Sequence, residues 1–315
     1  MNWAGIAAGW KILSMVLRSL PVMPSYIEPL FRPPSEARSL IFQITVGCSQ
    51  NTCAFCGMYK GKRFRVRPVP EIIKEIAGIS EVHRPNIDRV FLADGDALVY
   101  PFDGLMEILD ALSAAFPHLA RVASYASPAS LKGKSPEQLA QLSGKRLRIL
   151  YFGLESGDDE TLSQIYKGFT SDEMASQSLK AREAGMKLSV TAILGLAGRD
   201  RSLMHARKTA EWVNRVNPEY FSLLTLFHRH NDDFIQSLDQ CTRRELMLEA
   251  REMLTHLHPS RTILRSNHVS NFLNLAGSYP KDRERLIADV DASLTRAAQR
   301  PGFLDAVPEY AEEYY

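Results

Sequence analysis

Two hydrophobic periods alternate through the middle of the chain. Short apolar runs rich in β-branched and aromatic residues predict six strands, at 39–46, 88–94, 120–127, 146–156, 186–195 and 219–227. Segments with apolar residues at helical spacing predict the intervening helices, at 70–82, 102–116, 135–144, 171–185 and 202–216. Ser135 is the predicted N-cap of the helix at 135–144, and Gly185 is predicted to end the helix at 171–185. Strict alternation with short turns indicates right-handed βαβ units and a parallel α/β sheet, either open and doubly wound or part of a barrel.

The two ends of the chain do not follow this alternation. Residues 1–24 are apolar but include Lys11 and Arg18, which predicts an amphipathic helix packed on the body of the protein. A helix lying in a membrane interface, which Trp3 and Trp10 would suit, is the less favoured alternative. Beyond residue 228 the pattern predicts two further helices and a strand-like stretch, at 243–257, 282–299 and 261–273.

These patterns divide the chain into three parts. We expect an N-terminal helix and extended connection over 1–36, a core over 37–230 and a C-terminal extension over 231–315. The N-terminal stretch lacks the roughly twenty uninterrupted apolar residues that span a bilayer, and no cleavable signal peptide is evident. A cytoplasmic protein is therefore expected.

Composition is that of an ordinary globular protein. Of the 315 residues, 45% are hydrophobic and 23% are charged, and 38 basic residues nearly balance 36 acidic ones for a net charge of +2. This balance gives no electrostatic footprint for a nucleic acid, so no nucleic-acid partner is expected. The four cysteines are too few for a secreted disulfide scaffold in a chain of this length.

Three of the four cysteines lie on one short loop after the first strand, with the spacing Cys48-x4-Cys53-x2-Cys56. A closed zinc site would need a fourth ligand, and the sequence has no second cysteine or histidine pair. Three thiolates on a [4Fe–4S] cluster would leave one iron open to another ligand. An incomplete zinc knuckle or a redox-labile loop is the alternative. We interpret Cys241, beyond the sixth strand, as a small buried hydrophobe.

The cysteine loop resembles that of the radical S-adenosylmethionine (radical SAM) enzymes, although their usual spacing is Cys-x3-Cys-x2-Cys. Phe55 stands before the third cysteine, where the superfamily places an aromatic residue against adenine. A group of bacterial radical SAM proteins with the longer spacing is similar to about residues 31–298, in the segments SLIFQITVGCSQNTCAFCGMYK, ADGDAL, GLESGDDETL, VTAILGLAG and RSNHVSNFL.

The resemblance implies a partial (β/α)6 TIM-like barrel with an N-terminal helix and a C-terminal extension that closes it. It also implies that Cys48, Cys53 and Cys56 hold a [4Fe–4S] cluster and that SAM chelates the fourth iron. One electron would cleave SAM to methionine and a 5′-deoxyadenosyl radical, which takes a hydrogen atom from a substrate. We expect a small-molecule substrate and an electron donor such as a flavodoxin or a ferredoxin.

The ends of other strands supply further candidate residues, because the chemistry of such barrels lies at the C-terminal ends of the strands. The resemblance places Asp94, Gly95 and Asp96 where the superfamily often has Gly-Gly-Glu to receive the methionine ammonium group. An ordinary Asp-Gly-Asp turn is the alternative. Ile193 and Gly195 match the strand whose backbone contacts adenine in the superfamily.

Four more side chains are candidates with less specific signals. Ser124 ends the third strand and could contact the ribose or the substrate. Glu155 follows an apolar run, which predicts a carboxylate inside the cavity that pairs with SAM, a substrate cation or an internal arginine. His228 and His268 are candidate catalytic proton donors or anion-binding groups. The alternatives are that His228 lies in a solvated loop and that His268 satisfies backbone groups in a C-terminal lid.

A basic run follows the cysteine loop and consists of Lys60, Lys62, Arg63, Arg65 and Arg67. Its alternation with apolar residues is typical of a solvated strand edge. Docking of an acidic electron donor is the functional hypothesis for this run.

Two other functions stay open on the sequence alone. One is a radical SAM transferase that modifies RNA or protein, against which the absence of a global basic patch counts. The other is an iron–sulfur or zinc-binding sensor, which would bind metal without cleaving SAM.

Overall fold

One sheet of eight strands forms the centre of the protein in the computed structural model, which describes residues 24–268 and 270–309. Seven strands lie parallel and in chain order, and β10 (Ala276–Ser278) pairs antiparallel with the last of them. The seven are β1 (Leu40–Gln43), β4 (Arg89–Ala93), β5 (Arg121–Ala126), β6 (Leu147–Glu155), β7 (Lys187–Leu194), β8 (Tyr220–Thr225) and β9 (Ile263–Arg265). A separate antiparallel pair, β2 (Thr45–Val46) and β3 (Arg65–Val66), brackets the cysteine loop.

The six predicted strands are all present, and the predicted parallel α/β fold is confirmed. The sheet is wider than the six predicted strands, because the C-terminal part of the chain adds β9 and β10 to its edge. The strand-like stretch at 261–273 contributes only the three residues of β9. The helix predicted over 1–24 lies outside the described residues, which begin at Pro24.

Helices follow the strands and cover one side of the sheet. Within the described residues they are α1 (Val69–Gly78), α2 (Phe102–Ala115), α3 (Pro128–Lys132), α4 (Pro136–Gly144), α5 (Asp159–Gln164), α6 (Ser171–Glu183), α7 (Gly198–Val216), α8 (Asp232–Ser237), α9 (Arg243–His256) and α10 (Arg283–Ala297).

Local sequence signals explain where several helices begin and end. Ser135, Thr170 and Thr242 each form a capping box at the start of α4, α6 and α9, a device that contributes about 1 kcal/mol. Ser135 is thereby confirmed as the predicted N-cap of α4. After α6 the chain turns at Gly185, whose φ of 84° lies in the left-handed region that glycine adopts without strain.

Alternate positions of a strand face opposite sides of the sheet. In β4, Val90 and Leu92 join the large core under the helices, whereas Phe91 and Ala93 join a second buried cluster on the other side. The aromatic rings of this second cluster meet edge to face, with centroids 5.1 Å apart for Phe91 and Tyr125. Both faces of the sheet are therefore covered, as expected for a parallel sheet, and the second face leads into a cavity.

Candidate active site

A cavity of about 610 Å³ lies at the C-terminal ends of the parallel strands. This volume is within the range of about 300–1,000 Å³ that is typical of small-molecule sites. Strands β5 to β9 all contribute to its wall, through Ala126, Glu155, Ile193, Thr225 and Arg265. The cysteine loop and the segment before β1 complete the wall, so distant parts of the sequence converge on one space.

Cys48, Cys53 and Cys56 all line this cavity. Burial raises the pKa of Cys48 to about 12 and that of Cys56 to about 11, because a thiolate in this apolar surrounding lacks solvation. Within the part of the chain that the structure describes, no three metal-ligating side chains already stand in the geometry of a metal site. The three thiols are thus gathered on one wall but are not arranged as a finished ligand set.

The cysteine loop is irregular and is anchored from both sides. Ala54 donates its backbone N–H to the carbonyl of Ile165, at 2.9 Å, and the Asn231 side chain donates to the carbonyl of Phe55, at 2.7 Å. At Gly57 a Cβ atom would stand only 1.3 Å from the carbonyl oxygen of Arg229. Only glycine allows this close approach, which ties the loop to the segment after β8.

The chemistry of this donor set fits an iron–sulfur cluster. Thiolates are the ligands that such clusters prefer, and three of them leave one iron for another ligand. Cys241, the remaining cysteine of the chain, is buried and does not line the cavity, as expected for a packing residue.

Asp94 lies after β4 but is closed off from the cavity. Its carboxylate is fully buried, and Oδ2 accepts hydrogen bonds from the Gln43 side chain, the Gly47 backbone and the Lys62 ammonium group. Asp94 Oδ1 and the nearby Tyr59 hydroxyl are also buried and make no hydrogen bond within the described residues. The surroundings of Asp94 therefore consist of protein groups on every side.

Lys62 and Arg67 contradict the interpretation of the basic run as a solvated edge. Lys62 is 9% exposed because its ammonium group pairs with Asp94, at 3.2 Å. Arg67 is 7% exposed because its guanidinium group pairs with Glu75, at 2.7 Å. Sequence alternation could not reveal these partners, since both acids come from elsewhere in the chain.

Asp96 is likewise enclosed by protein donors. Oδ1 accepts the backbone N–H of Ser127 at 3.0 Å, and Oδ2 accepts the hydroxyl groups of Ser127 and Ser49. Burial raises the pKa of Asp96, while these hydrogen bonds oppose that shift. Asp96 connects the cysteine loop to the end of β5 and does not line the cavity.

Glu155 does line the cavity, at the end of β6, and its partner is Lys167. The Lys167 Nζ atom lies 3.1 Å from Glu155 Oε1, and both side chains are largely buried. Burial alone would lower the pKa of Lys167, but the charge and hydrogen bond of Glu155, together with the nearby Cys53 and Cys48, outweigh burial and raise that pKa. The internal cation that sequence reasoning allowed for is thus a lysine rather than an arginine. Glu155 Oε2 makes no hydrogen bond within the described residues.

Four other predicted residues line the cavity: Phe55, Gly95, Ile193 and His268. A Cβ atom at Gly95 would stand 2.6 Å from the Tyr59 ring, so this position needs glycine for packing whether or not a cofactor contacts it. Burial lowers the pKa of His268, which favours a neutral ring.

Besides Asp94 and Asp96, three further predicted residues do not line the cavity: Ser124, Gly195 and His228. The Ser124 hydroxyl is buried and donates to the carbonyl of Tyr125, at 2.8 Å. The Gly195 N–H donates to Glu249 Oε1, at 3.0 Å. His228 lies half-buried in the segment between β8 and α8.

A buried polar group behind β7 was not predicted. Glu249 of α9 accepts hydrogen bonds from Gly195 and from the Ser202 hydroxyl, and it lies 3.4 Å from His205. His205 is bonded in turn to the Ser156 hydroxyl, at 2.8 Å. Burial raises the pKa of Glu249 to about 8 and lowers that of His205 to about 4, so both charged forms are disfavoured.

Sequence reasoning also gave no role to several other residues of the cavity wall. They are Arg32, Tyr151, Lys167, Thr191 and Ser222. The inward position of Thr191 and Ser222 follows from strand alternation once the inner face is known. Arg32 and Lys167 come from connections, for which the sequence contains no comparable signal.

None of the helices in the described part of the chain is both long and apolar enough to cross a membrane.

Comparisons with known proteins agree with this architecture. The family model of the radical SAM superfamily matches residues 42–213. The heme chaperone HemW of Bacillus subtilis is 21% identical over 183 residues, which are 56% of this chain and 48% of that protein. The chain therefore spans about half the length of this curated relative.

Solved structures show the same fold. Coproporphyrinogen III oxidase (HemN) of Escherichia coli superposes with a TM-score of 0.54 at 16% identity, over 76% of this chain and 60% of that chain. Methylornithine synthase (PylB) gives a TM-score of 0.50 at 13% identity, over 84% of this chain and 82% of that chain. At these identities the likeness concerns the fold, a partial TIM barrel.

Proposed function

The chain belongs to the radical SAM superfamily, and we propose that it abstracts a hydrogen atom from a small-molecule substrate held in the 610 Å³ cavity. Members of this superfamily are enzymes that use a [4Fe–4S] cluster and SAM, so a metal sensor without catalysis is not retained. The observation that carries the proposal is that all three clustered cysteines line this one cavity.

Cys48, Cys53 and Cys56 are the residues that would hold the cluster. The bound cofactors supply a reactive 5′-deoxyadenosyl radical when an electron enters the cluster. The protein contributes a space in which SAM and the substrate can meet. The Asn231 and Ile165 contacts hold the loop that presents the thiols.

The pair of Glu155 and Lys167 is the proposed polar anchor for the cofactor. Glu155 Oε2 has acceptor capacity left, which suits the hydroxyl groups of a ribose or an ammonium group. The Lys167 ammonium group, 3.1 Å away, compensates the charge of the largely buried Glu155 carboxylate. Phe55 and Ile193 offer apolar surface in the same cavity for an adenine ring.

His268 is the proposed proton donor or acceptor of the cavity wall. The backbone N–H of Ser270 donates to His268 Nδ1, at 3.1 Å, which leaves the proton of a neutral ring on Nε2. His228 is outside the cavity lining, so it has no such support.

The first experiment measures SAM cleavage. The protein is purified anaerobically, reconstituted with iron and sulfide and assayed for 5′-deoxyadenosine after addition of SAM and dithionite. We expect product from the native chain and from Cys241→Ala. Cys48→Ala, Cys53→Ala and Cys56→Ala should each lose both the cluster and the product. Absence of 5′-deoxyadenosine from protein with a full cluster would refute the proposal.

An acidic electron donor is the proposed protein partner. Lys60, Arg63 and Arg65 are exposed next to the cysteine loop. Unlike the buried Lys62 and Arg67, they form no ion pair with a described residue. Reversal of charge at Arg63 and Arg65 should slow turnover driven by a flavodoxin at low ionic strength, because electrostatic attraction accelerates docking. Turnover driven by dithionite should not change. Equal slowing with both reductants would contradict docking at this surface.

A further inference from the structure

The wall of the cavity carries a marked excess of positive charge. Among the described residues that line it, Glu155 is the one carboxylate, whereas Arg32, Lys167, Arg229 and Arg265 are basic. Lys167 compensates Glu155, as its 3.1 Å ion pair shows. Three guanidinium groups therefore remain without a carboxylate in the cavity.

Some other arginines of the described chain have acidic partners. Arg121 pairs with Glu36 at 2.8 Å, and Arg201 pairs with Asp158 at 2.9 Å. By contrast, neither Arg229 nor Arg265 forms an ion pair with any described residue. The guanidinium groups of Arg229 and Arg265 are therefore available to a ligand in the cavity.

The surroundings of Arg229 hold its guanidinium group in place. The group lies 4.9 Å from the centroid of the Phe31 ring, and stacking of this kind restricts its orientation. Its backbone N–H donates to Asn231, and its carbonyl lies against Gly57 of the cysteine loop. Arg229 is therefore fixed beside the loop that presents the thiols.

Arg265 reaches the same cavity from the edge of the sheet. In β9 it is in register with Ser222 of β8, which also lines the cavity. Its guanidinium group donates to the carbonyl of Leu264, at 2.8 Å, and the remaining N–H groups stay available. The wall of the same cavity also carries aromatic side chains, among them Phe227, Tyr125 and Tyr151.

From this arrangement we propose that the substrate is an oxyanion, a carboxylate or a phosphate ester, attached to an apolar or aromatic body. Arg229 and Arg265 bind the oxyanion, since guanidinium groups match carboxylate and phosphate oxygens in geometry and charge. The aromatic wall receives the body of the substrate. This substrate class rests on the proposed function, because it assumes that the cavity is the reaction chamber.

The test compares four probes that share a phenyl group: phenylacetate, phenyl phosphate, benzyl alcohol and phenethylamine. Their binding to the reconstituted holoenzyme is titrated by saturation-transfer NMR with and without SAM. We expect both anions to bind about tenfold more tightly than the alcohol, and the amine to bind least. Arg229→Gln and Arg265→Gln should each weaken the anions about three- to tenfold, and Arg229→Lys should weaken them less.

Arg261→Gln is the matched control, because Arg261 is exposed near the opposite end of β9 and does not line the cavity. If neither cavity variant weakened anion binding, the bound anion would be an adventitious ion only, and the proposal would be overturned. Equal affinity for the alcohol and the anions would overturn it as well. A loss of SAM affinity without a loss of probe affinity would also overturn it, since the anion would then be the SAM carboxylate. Arginine-dependent probe binding in protein that makes no 5′-deoxyadenosine would refute the proposed function and leave the oxyanion site standing.

Discussion

The ends of β4 and β6 both carry a carboxylate after an apolar strand, yet the two carboxylates have opposite surroundings. Asp94 is fully buried among protein donors and does not reach the cavity. Glu155 faces the cavity with Lys167 as its ion-pair partner and with one oxygen not hydrogen-bonded within the described residues. One oxygen of each carboxylate makes no hydrogen bond within the described residues, so the two differ in access: Asp94 is fully buried, whereas Glu155 lines the cavity, where a ligand can reach it.

The largest expected effect comes from breaking the enclosed pair. Asp94→Asn removes the counter-charge of the buried Lys62, and an uncompensated buried charge costs about 3–5 kcal/mol of unfolding free energy. Asp110→Asn, which affects an exposed pair with Lys145, should cost less than about 1 kcal/mol. Urea unfolding of both variants measures the difference. Equal losses of unfolding free energy would show that the Asp94–Lys62 pair contributes no more to stability than an exposed pair.

A smaller loss of stability and a larger loss of turnover are expected at Glu155. Glu155 and Lys167 both line the cavity, where water can solvate the charge left on Lys167, so Glu155→Gln should lower the unfolding free energy by only about 1–2 kcal/mol. The formation of 5′-deoxyadenosine should fall at least about tenfold, because the proposed cofactor anchor loses its charge. Unchanged turnover per folded molecule would remove the distinction between the two strand ends.

The third prediction uses Glu249, a buried carboxylate that has no cation beside it. Its pKa is raised from 4.5 to about 8, so its contribution to stability is full below pH 4.5 and is lost as the pH rises through 8. His205, whose pKa is lowered from 6.5 to about 4, contributes stability above pH 6.5 that is lost as the pH falls through 4. Between pH 6.5 and 8 only the Glu249 contribution changes.

Over this window Glu249 should make the unfolding free energy fall with pH by up to about 1.4 kcal/mol per unit. Glu249→Gln should flatten that dependence, which denaturation at several pH values measures. Ser202→Ala is the comparison variant, because it removes one hydrogen bond and leaves the carboxyl group. Identical slopes for the native chain and Glu249→Gln would show that Glu249 is ionised throughout.

Much of the fold was predictable because it depends on local periodicity. The six strands and the helices between them followed from apolar spacing, and Ser135 and Gly185 marked real helix boundaries. The short strand β10 had no comparable pattern, because three residues are too few to show a period. Its place in the sheet depends on pairing with β9 rather than on its own sequence.

The site was predictable only in part. Cys48, Cys53 and Cys56 are close in sequence, so their spacing alone indicated a shared ligand, and all three line the cavity. Asp94 and Glu155 could not be told apart, because each pairs with a lysine and they differ only in which one the folded chain encloses. Arg229 and Arg265 gave no joint signal, since 36 positions separate them along the chain.

By itself the sequence determined the alternating strands and helices, the cysteine loop and the likeness to radical SAM enzymes, because these depend on spacing within short segments. The tertiary structure alone decided which polar groups face the cavity and which are enclosed. Burial and charge pairing depend on neighbours brought together from distant parts of the chain, and a linear pattern does not record those neighbours.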